Sequence, residues 1–502
     1  MKLSRFLDDI LKTAVSQVAV LVLSLAVVKV MAVYLSPEHF GIFGTIKRWI
    51  GVLLPIISLN LGVGLARYIG AEKEKSSYYL NISLLFSGVL FALLLFFSIA
   101  FPRWLSVLLF TSPDYSRYVY LTYLYLVANI VNLLVYSYFR GQFEMKRANL
   151  VWVLFFLIPL IPALLPFIIK SWSDDRILEI YFIFSTVIGT AISMFYIRGH
   201  WSFKRMLNRI ETPVKESKGF LKYSLSRIPA GFFIALVLGM PVFVAGHRIS
   251  LIAAGYANII TQVIRLLSVV ATPFNLVFLP KFSYLKSKDQ DDNIKKSCHI
   301  VMDFIITFLP FIGIALFGLT RYILVILFDK KYLVDNLPES LAISILFSAF
   351  FIAYALIRGI LDGLYDFPYV NIITLLGILV TAVFSLFIFQ NNIYWITLSF
   401  CLGIMTIGLS SIAILLVKVK ITPKFKTLFI SAVISIGTFV LFHYCDKAVS
   451  TIHARGIIKM GILFSLRLVV SLAVLYFFWQ KTLWFQELKK RIHRSQGNET
   501  HE

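Results

Sequence analysis

The sequence predicts an all-α protein that crosses a membrane with about fourteen helices. Of its 502 residues, 59% are hydrophobic and only 15% are charged. Apolar runs of about 20 residues, the length that spans a bilayer, recur from one end of the chain to the other. The longest polar connection, residues 198–227, is too short for a separate catalytic domain. It is basic and amphipathic, which is typical of a segment that lies on an anionic membrane surface.

The spans follow one another in an order that suggests two similar halves. The first six are predicted at residues 14–35, 42–66, 79–101, 118–139, 151–169 and 180–197. Because the first run is too long for a signal-peptide core, we expect it to remain as a spanning helix. Six more spans are predicted at residues 228–245, 251–279, 301–319, 341–360, 370–389 and 393–417, and two others at 428–444 and 457–478. We therefore expect an N-terminal lobe at 1–210, a C-terminal lobe at 211–420, two additional helices at 421–480 and a polar cytoplasmic tail at 481–502.

An Arg-Gly-x-x-acid pattern recurs at the end of the fourth and tenth spans and favours an internal repeat. In each copy the arginine and the acid are four residues apart, so we predict ion pairs of Arg140 with Glu144 and of Arg358 with Asp362. Such pairs would fix a helix end or form part of a gate. Duplication of a six-helix unit yields two lobes around a central site in transporters.

The charge balance predicts how the chain is oriented. The 48 Lys and Arg exceed the 25 Asp and Glu, giving a formal charge of +23. In a membrane protein such basic residues concentrate in cytoplasmic loops, so the excess does not indicate a nucleic-acid partner. We predict that both termini are cytoplasmic. The three cysteines, Cys298, Cys401 and Cys445, lack the spacing of metal ligands, so no metal site is expected.

Five basic side chains lie inside the predicted spans: Lys29, Lys47, Arg48, Arg265 and Arg467. Charges in hydrocarbon are costly and almost always face a bundle interior or a water-filled cavity. Because all five are positive, they predict a pathway for an anionic substrate. The structural alternatives are that the first three reach the outer interface by snorkelling and that Arg467 is a packing residue.

Polar residues of the eighth span share one helical face, which we expect to look inward. They are spaced at steps of four, three and seven: Asn258, Gln262, Arg265 and Thr272. Acidic residues are nearly absent from the spans, with Asp303 as the only plausible case, which disfavours export of cations. No Gly-rich phosphate loop is present, so no nucleotide hydrolysis is expected. No cofactor is predicted, and the energy source would be a Na⁺ or H⁺ gradient, the membrane potential or consumption of the product.

Several short motifs carry a family resemblance over roughly the first 370 residues. They are YLSPEHFGIFG at 34–44, LGVGLARY at 61–68, AGY at 254–256 and LPKFS at 279–283, together with the two Arg-Gly sites. In this order and spacing the chain resembles Wzx-type O-antigen or oligosaccharide flippases of the multidrug/oligosaccharidyl-lipid/polysaccharide exporter superfamily. Later helices match that family only in number and hydrophobicity.

The resemblance implies a substrate and a mechanism. An undecaprenyl-pyrophosphate-linked oligosaccharide, such as an O-antigen unit for lipopolysaccharide, would move from the inner to the outer leaflet of the bacterial inner membrane by alternating access. The expected partners are this lipid-linked sugar, membrane lipids, and a polysaccharide polymerase with its chain-length machinery. We expect phosphate or acidic-sugar contacts from Arg48 and Arg265, and steering by Lys47 and Lys29. Asn258 and Gln262 would bind sugar hydroxyls.

Three alternatives remain open at this point. One is a drug or cation antiporter of the MATE type, and another is a flippase for a different isoprenoid-linked precursor. The third is a membrane polysaccharide polymerase or glycosyltransferase, which would usually place paired carboxylates in a substantial outer loop. The adjacent Asp174 and Asp175 lie in a short loop, where we interpret them as a solvated turn. We therefore expect a transporter rather than an enzyme.

Overall fold

The computed structural model describes residues 3–470 with gaps. The gaps are residues 170, 200–213, 335, 366, 389–391, 423–424, 451–461, 464 and 468, and within 273–287 only residues 274, 278, 282, 285 and 286 are described. The regular structure of the described residues is entirely helical. Contacts divide the chain into two compact units. Unit 1 comprises residues 1–269, 327–329 and 374–403, and unit 2 comprises the remainder.

Unit 1 contains the helices of the predicted N-terminal lobe and the first three helices that follow it. In chain order these are α1 (Leu3–Tyr34), α2 (Pro37–Ile57), α3 (Leu61–Ala71), α4 (Ser76–Ala100), α5 (Pro102–Phe110), α6 (Ser116–Gly141), α7 (Met145–Leu157), α8 (Leu160–Ile168), α9 (Asp174–Ile197), α10 (Val214–Leu225), α11 (Ile228–Arg248) and α12 (Leu251–Ser268). The predicted lobe boundary near residue 210 is therefore not the boundary of this unit, and the two six-helix lobes stay a prediction.

Unit 2 contains most of the later helices. They are α13 (Asp291–Phe317), α14 (Thr320–Leu327), α15 (Leu337–Leu364), α16 (Tyr369–Val383), α17 (Ile393–Val419) and α18 (Phe425–Ser450). Parts of α14, α16 and α17 are shared with unit 1. Within unit 2, α13 packs against α15 and α18.

The predicted fold class is confirmed. The described residues contain 12 helical segments that are long and apolar enough to cross a membrane, and each overlaps one of the first twelve predicted spans. The thirteenth span falls in α18, where the described apolar part is Val433–Phe442. The fourteenth, at 457–478, lies largely outside the described residues.

The second predicted span is not one continuous helix. Pro55 has no N–H to donate, and α2 ends two residues later, at Ile57. The chain then passes through left-handed backbone at Leu59 and Asn60, with φ of 47° and 51°. Helix α3 begins immediately afterwards, at Leu61. The chain therefore breaks shortly after Pro55, and the predicted span is divided into two helices.

Helices α2 and α12 cross at very short range because glycines occupy the contact. A Cβ atom on Gly41 would collide with the carbonyl of Leu251 and lie 3.2 Å from the backbone nitrogen of Gly255. A Cβ on Gly44 would lie 2.7 Å from side-chain atoms of Asn258. Small residues allow helix backbones to approach closely in membranes. This crossing brings the polar residues of α12 next to the basic residues of α2.

Candidate functional site

A buried guanidinium lies at the contact between α2 and α12. The side chain of Arg48 is only 5% exposed. Its Nη2 donates hydrogen bonds to Oδ1 of Asn258 at 3.2 Å and to Oγ1 of Thr261 at 2.6 Å. The Thr261 hydroxyl donates in turn to the carbonyl of Ala257 at 3.1 Å, which leaves its oxygen free to accept from Arg48. One face of α12 therefore orients the arginine of α2.

The hydrogen bonding of this arginine is incomplete. Nε of Arg48 and Nδ2 of Asn258 are both buried and have no hydrogen-bond partner among the described residues. Both partners of the guanidinium are neutral. A buried charge is normally paired, and a buried donor without an acceptor carries its full desolvation cost. The site therefore has unused capacity to bind an acceptor that carries negative charge.

Two more cations lie close to Arg48. Lys47 is half-buried, and its Nζ lies 4.5 Å from the ring centroid of Phe43 and 5.7 Å from that of Tyr181. Lys47, Arg48 and Arg265 are near enough to one another for their charges to interact. The side chain of Arg265 is exposed, yet surrounding protein atoms desolvate it.

No carboxylate neutralises these three cations in the part of the chain that the structure describes. Arg48 contacts neutral polar groups and Lys47 contacts aromatic rings, while the charges of both interact with that of Arg265. The repulsion between like charges held together in this way disfavours the site when it is empty. An anion placed among them would relieve that repulsion. We call Lys47, Arg48 and Arg265, with Asn258 and Thr261, the cationic cluster.

The other predicted binding residues lie outside this arrangement or at its edge. Nζ of Lys29 donates to the carbonyl of Phe328 and interacts electrostatically with Asp329, so Lys29 has partners of its own. Gln262 is half-buried on α12, and its side chain forms no hydrogen bond with the residues that the structure describes. Thr272 comes directly after the 3₁₀ turn Val269–Ala271 that follows α12, and its place on the predicted face stays a prediction.

Arg467 lies in unit 2, where it is 3% exposed. It donates to the carbonyl of Ala315 at 3.3 Å and lies 4.9 Å from the ring centroid of Phe442. These contacts tie the final helical segment to neighbouring elements of unit 2. The arrangement agrees with the packing alternative for Arg467.

The two predicted ion pairs have different outcomes. Nε of Arg358 lies 3.5 Å from Oδ2 of Asp362, and its role as a gate stays a prediction. Arg140 instead lies over the ring of Tyr136, at 5.4 Å from the centroid, and Glu144 pairs with Arg147 at 2.7 Å. The reason is that α6 ends at Gly141, so Arg140 and Glu144 do not share a helix face.

Sequence reasoning missed a polar network near the N-terminal end of α2. The imidazole of His39 lies 3.3 Å from Asp174 and 3.0 Å from Asp175. Asp175 also accepts hydrogen bonds from Arg117 and Tyr118. These aspartates are therefore not a solvated turn. We call these five residues the outer network, since the predicted topology places them outside.

Only part of this geometry has a signal in the sequence. Thr261 lies three residues after Asn258 and four before Arg265, so it shares their helical face and was open to prediction. The outer network joins three segments far apart in the chain. Its pairing depends on the tertiary structure and has no local pattern.

Comparison with known proteins places the chain in a family. Residues 6–286 match the sequence model of the family described as polysaccharide biosynthesis protein. No curated protein sequence matches the chain. Among solved structures, the lipid II flippase MurJ in an inward closed conformation is similar, with a TM-score of 0.70 and 14% identity over 95% of this chain and 99% of that one.

Transporters of the MATE family are similar as well. An inward-facing multidrug resistance transporter of the MOP superfamily has a TM-score of 0.60 and 14% identity, covering 81% of this chain and 98% of its own. The Vibrio cholerae transporter VcmN in its bent form has a TM-score of 0.56 and 12% identity over 83% and 98%. At this identity the likeness establishes the fold. With more than half of its residues matched by the family's sequence model, the chain belongs to the polysaccharide biosynthesis protein family.

Proposed function

We propose that this protein is a flippase that moves a polyprenyl-pyrophosphate-linked oligosaccharide across the bacterial inner membrane by alternating access. The observation that carries the proposal is the cationic cluster, in which Arg48 is buried with neutral partners and an unused Nε. A pyrophosphate cannot cross hydrocarbon unaided. Arginine and lysine in a low-dielectric site bind it through charge-assisted hydrogen bonds.

The surroundings of the cluster suit a glycosylated head group. Trp49 follows Arg48 in the chain, stacks on Phe243 with 4.3 Å between ring centroids, and has a buried indole N–H without a partner. Asn258 Nδ2 is likewise unpaired. Both are donors that match sugar hydroxyls. We assign Arg48 and Arg265 to phosphate or acidic-sugar binding, Asn258 and Gln262 to sugar hydroxyls, and Lys47 and Lys29 to steering.

The fold and the family are compatible with this proposal. Membership of a polysaccharide biosynthesis family favours a sugar-bearing substrate. The fold is shared with a lipid II flippase and with multidrug transporters. Cation export is the weaker proposal because the cluster would repel a cation. The proposal extends to O-antigen as the sugar, to a Na⁺ or H⁺ gradient as the energy source, and to a polysaccharide polymerase as a partner.

Arginine substitutions test the site assignment. Arg265→Ala and Arg48→Ala should each abolish surface polysaccharide in a deletion strain while the protein remains in the membrane, because the phosphate loses a charged partner. Arg48→Lys guards against misfolding, since it keeps the charge but loses the planar donor geometry, and should retain partial activity. Arg103→Ala is the matched control, since Arg103 is exposed at the start of α5. Full display with both alanine variants would refute the assignment.

Deletion of the gene tests the reaction itself. A strain lacking the protein should accumulate the complete lipid-linked oligosaccharide on the inner leaflet, where externally added glycosidase cannot reach it in spheroplasts. Exported single units that are never joined would instead indicate a polymerase. Sensitivity of the wild-type reaction to collapse of sodium or proton gradients would identify the coupling ion.

A further inference from the structure

A second pair of arginines converges on one aromatic ring near the C-terminal end of α3. Cζ of Arg67 lies 4.2 Å from the ring centroid of Tyr223, and Cζ of Arg227 lies 3.7 Å from it. The two guanidinium groups come from different elements, since Arg67 lies in α3 and Arg227 precedes α11. Tyr223 lies in α10 between them. The sum of the two distances limits the separation of the Cζ atoms to about 8 Å.

Packing and hydrogen bonds hold these residues in place. Phe220 of α10 is fully buried, and its ring centroid lies 5.5 Å from that of Tyr68. The side-chain amide of Asn60 donates to the carbonyl of Arg227 at 3.1 Å. Arg227 also donates to the carbonyl of Tyr223 at 3.3 Å. The arrangement is therefore built into the junction of α3, α10 and α11.

The charges of the two arginines are not neutralised by the described side chains. Among the side chains that the structure describes, no carboxylate forms an ion pair with Arg67 or Arg227. Glu72, just after α3, forms an ion pair with Lys75 at 3.1 Å and accepts a hydrogen bond from the hydroxyl of Tyr79 at 3.2 Å. Arg67 is exposed, and the guanidinium of Arg227 is partly exposed. Two accessible arginines within reach of one another match a ligand with several anionic oxygens, for which the guanidinium geometry is well suited.

The surrounding surface indicates that this ligand belongs to a lipid. Lys218 and Lys222 are exposed on α10, and the apolar Leu225 of the same helix is 45% exposed. A basic helix with exposed apolar residues is typical of a segment at the membrane interface. Anionic lipid phosphates concentrate at the cytoplasmic surface, which is where the predicted topology places α10.

We infer that Arg67, Arg227 and Tyr223 form a binding site for the phosphate group of an anionic phospholipid. The ring of Tyr223 orients both guanidinium groups, and these donate hydrogen bonds to the phosphate oxygens. The basic face of α10 adds long-range attraction. This site is separate from the cationic cluster and does not depend on the proposed transport reaction.

Lipid retention by the purified protein tests this site. The full chain is reconstituted in nanodiscs of phosphatidylglycerol and phosphatidylcholine and transferred to detergent, and retained lipids are counted by native mass spectrometry. Arg67→Gln with Arg227→Gln should reduce retained phosphatidylglycerol on the order of tenfold. Arg198→Gln is the matched control, because Arg198 lies 4.2 Å from the ring centroid of Phe195 and no other described arginine lies over that ring. It should retain wild-type levels.

Two further measurements make the outcome decisive. Tyr223→Phe keeps the ring and should retain the lipid, whereas Tyr223→Leu should lose it. Thermal melting confirms that each variant is folded.

In the second measurement, inorganic phosphate is added to the wild-type protein. Selective binding of phosphatidylglycerol that millimolar phosphate does not displace supports the lipid site. Equal retention of both lipids with saturable phosphate binding would overturn the lipid assignment, and retention unchanged in the double variant would overturn the site.

Discussion

Arg48 differs from other arginines of the chain in the charge of its partners. Arg117 pairs with Asp175 in the outer network, and Arg358 pairs with Asp362 at the end of α15. Arg48 is more deeply buried than either, yet it receives only an amide oxygen and a hydroxyl. A carboxylate at this position would neutralise the guanidinium permanently and compete with an anionic substrate. The neutral partners orient the arginine and leave its charge unneutralised, as the proposed substrate site requires.

Thr261 should therefore stabilise the site in the absence of substrate. Thr261→Val keeps the shape of the side chain but removes the acceptor for Arg48 Nη2, leaving a buried charged donor with one partner fewer. We expect a loss of about 1–3 kcal/mol of stability. The measurement is the thermal midpoint of the purified protein in detergent.

Thr122→Val provides the control for this loss. Thr122 is also fully buried in unit 1, but its hydroxyl only donates to the carbonyl of Tyr118 one turn earlier, at 2.7 Å. Its replacement removes a hydroxyl without leaving a charge unpaired. Equal midpoints for the two variants would show that the Thr261 hydroxyl does not support the buried arginine.

The sequence was sufficient to identify the cations but not their partners. Arg48 and Arg265 stand out because a charge in an apolar run is visible locally, whatever the fold. That Arg48 contacts Asn258 and Thr261 depends on how α2 crosses α12, about two hundred residues further along the chain. For the same reason the partners of Lys29 and of Asp175 could not be predicted.

At the level of elements, the crossing of α2 and α12 determines the geometry of the cationic cluster. Gly41→Ala would place a methyl group against the backbone of α12. A flexible side chain at that point could move aside, but a helix backbone cannot. The helices must then separate and draw Arg48 away from its partners. We expect a loss of about 1–3 kcal/mol in thermal unfolding, typical of overpacking, together with reduced transport.

Gly51→Ala separates this effect from helix propensity. Gly51 lies in the same helix, but no described atom beyond its own stretch of helix lies within 4 Å of the position where its Cβ would be. Alanine is intrinsically favoured over glycine in helices by about 1 kcal/mol, so this variant should be neutral or slightly more stable. If both substitutions changed the midpoint alike, close packing at Gly41 would not be the cause.

The helices were predictable to the extent that their signal is local. Hydropathy located twelve spans because each apolar run must itself match the bilayer thickness. Breaks and ends of helices were harder to predict. The break after Pro55 requires left-handed backbone at Leu59 and Asn60, and the end of α6 separates Arg140 from Glu144. The break and the helix end both depend on packing against neighbouring helices, which the local sequence does not reveal.

Across the whole molecule, the distribution of charge bears on how the protein is oriented in the membrane. The outer network contributes Asp174 and Asp175 to the predicted outer end of unit 1, whereas Arg67 and Arg227 lie near the predicted cytoplasmic end. Basic residues concentrate on the cytoplasmic side of membrane proteins. Orientation decides whether the arginine pair near α3 meets the leaflet rich in anionic lipids.

Cysteine labelling determines this orientation. Asp114 is exposed between α5 and α6, and Glu74 is exposed between α3 and α4, so α4 and α5 separate the two sites. Cys298 and Cys401 are buried, so replacing Cys445 with serine gives a background of low reactivity. In intact cells Asp114→Cys should react with a membrane-impermeant maleimide, whereas Glu74→Cys should react only after permeabilisation. The reverse pattern would invert the topology and place the arginine pair on the outer surface, where the lipid proposal would lose its electrostatic basis.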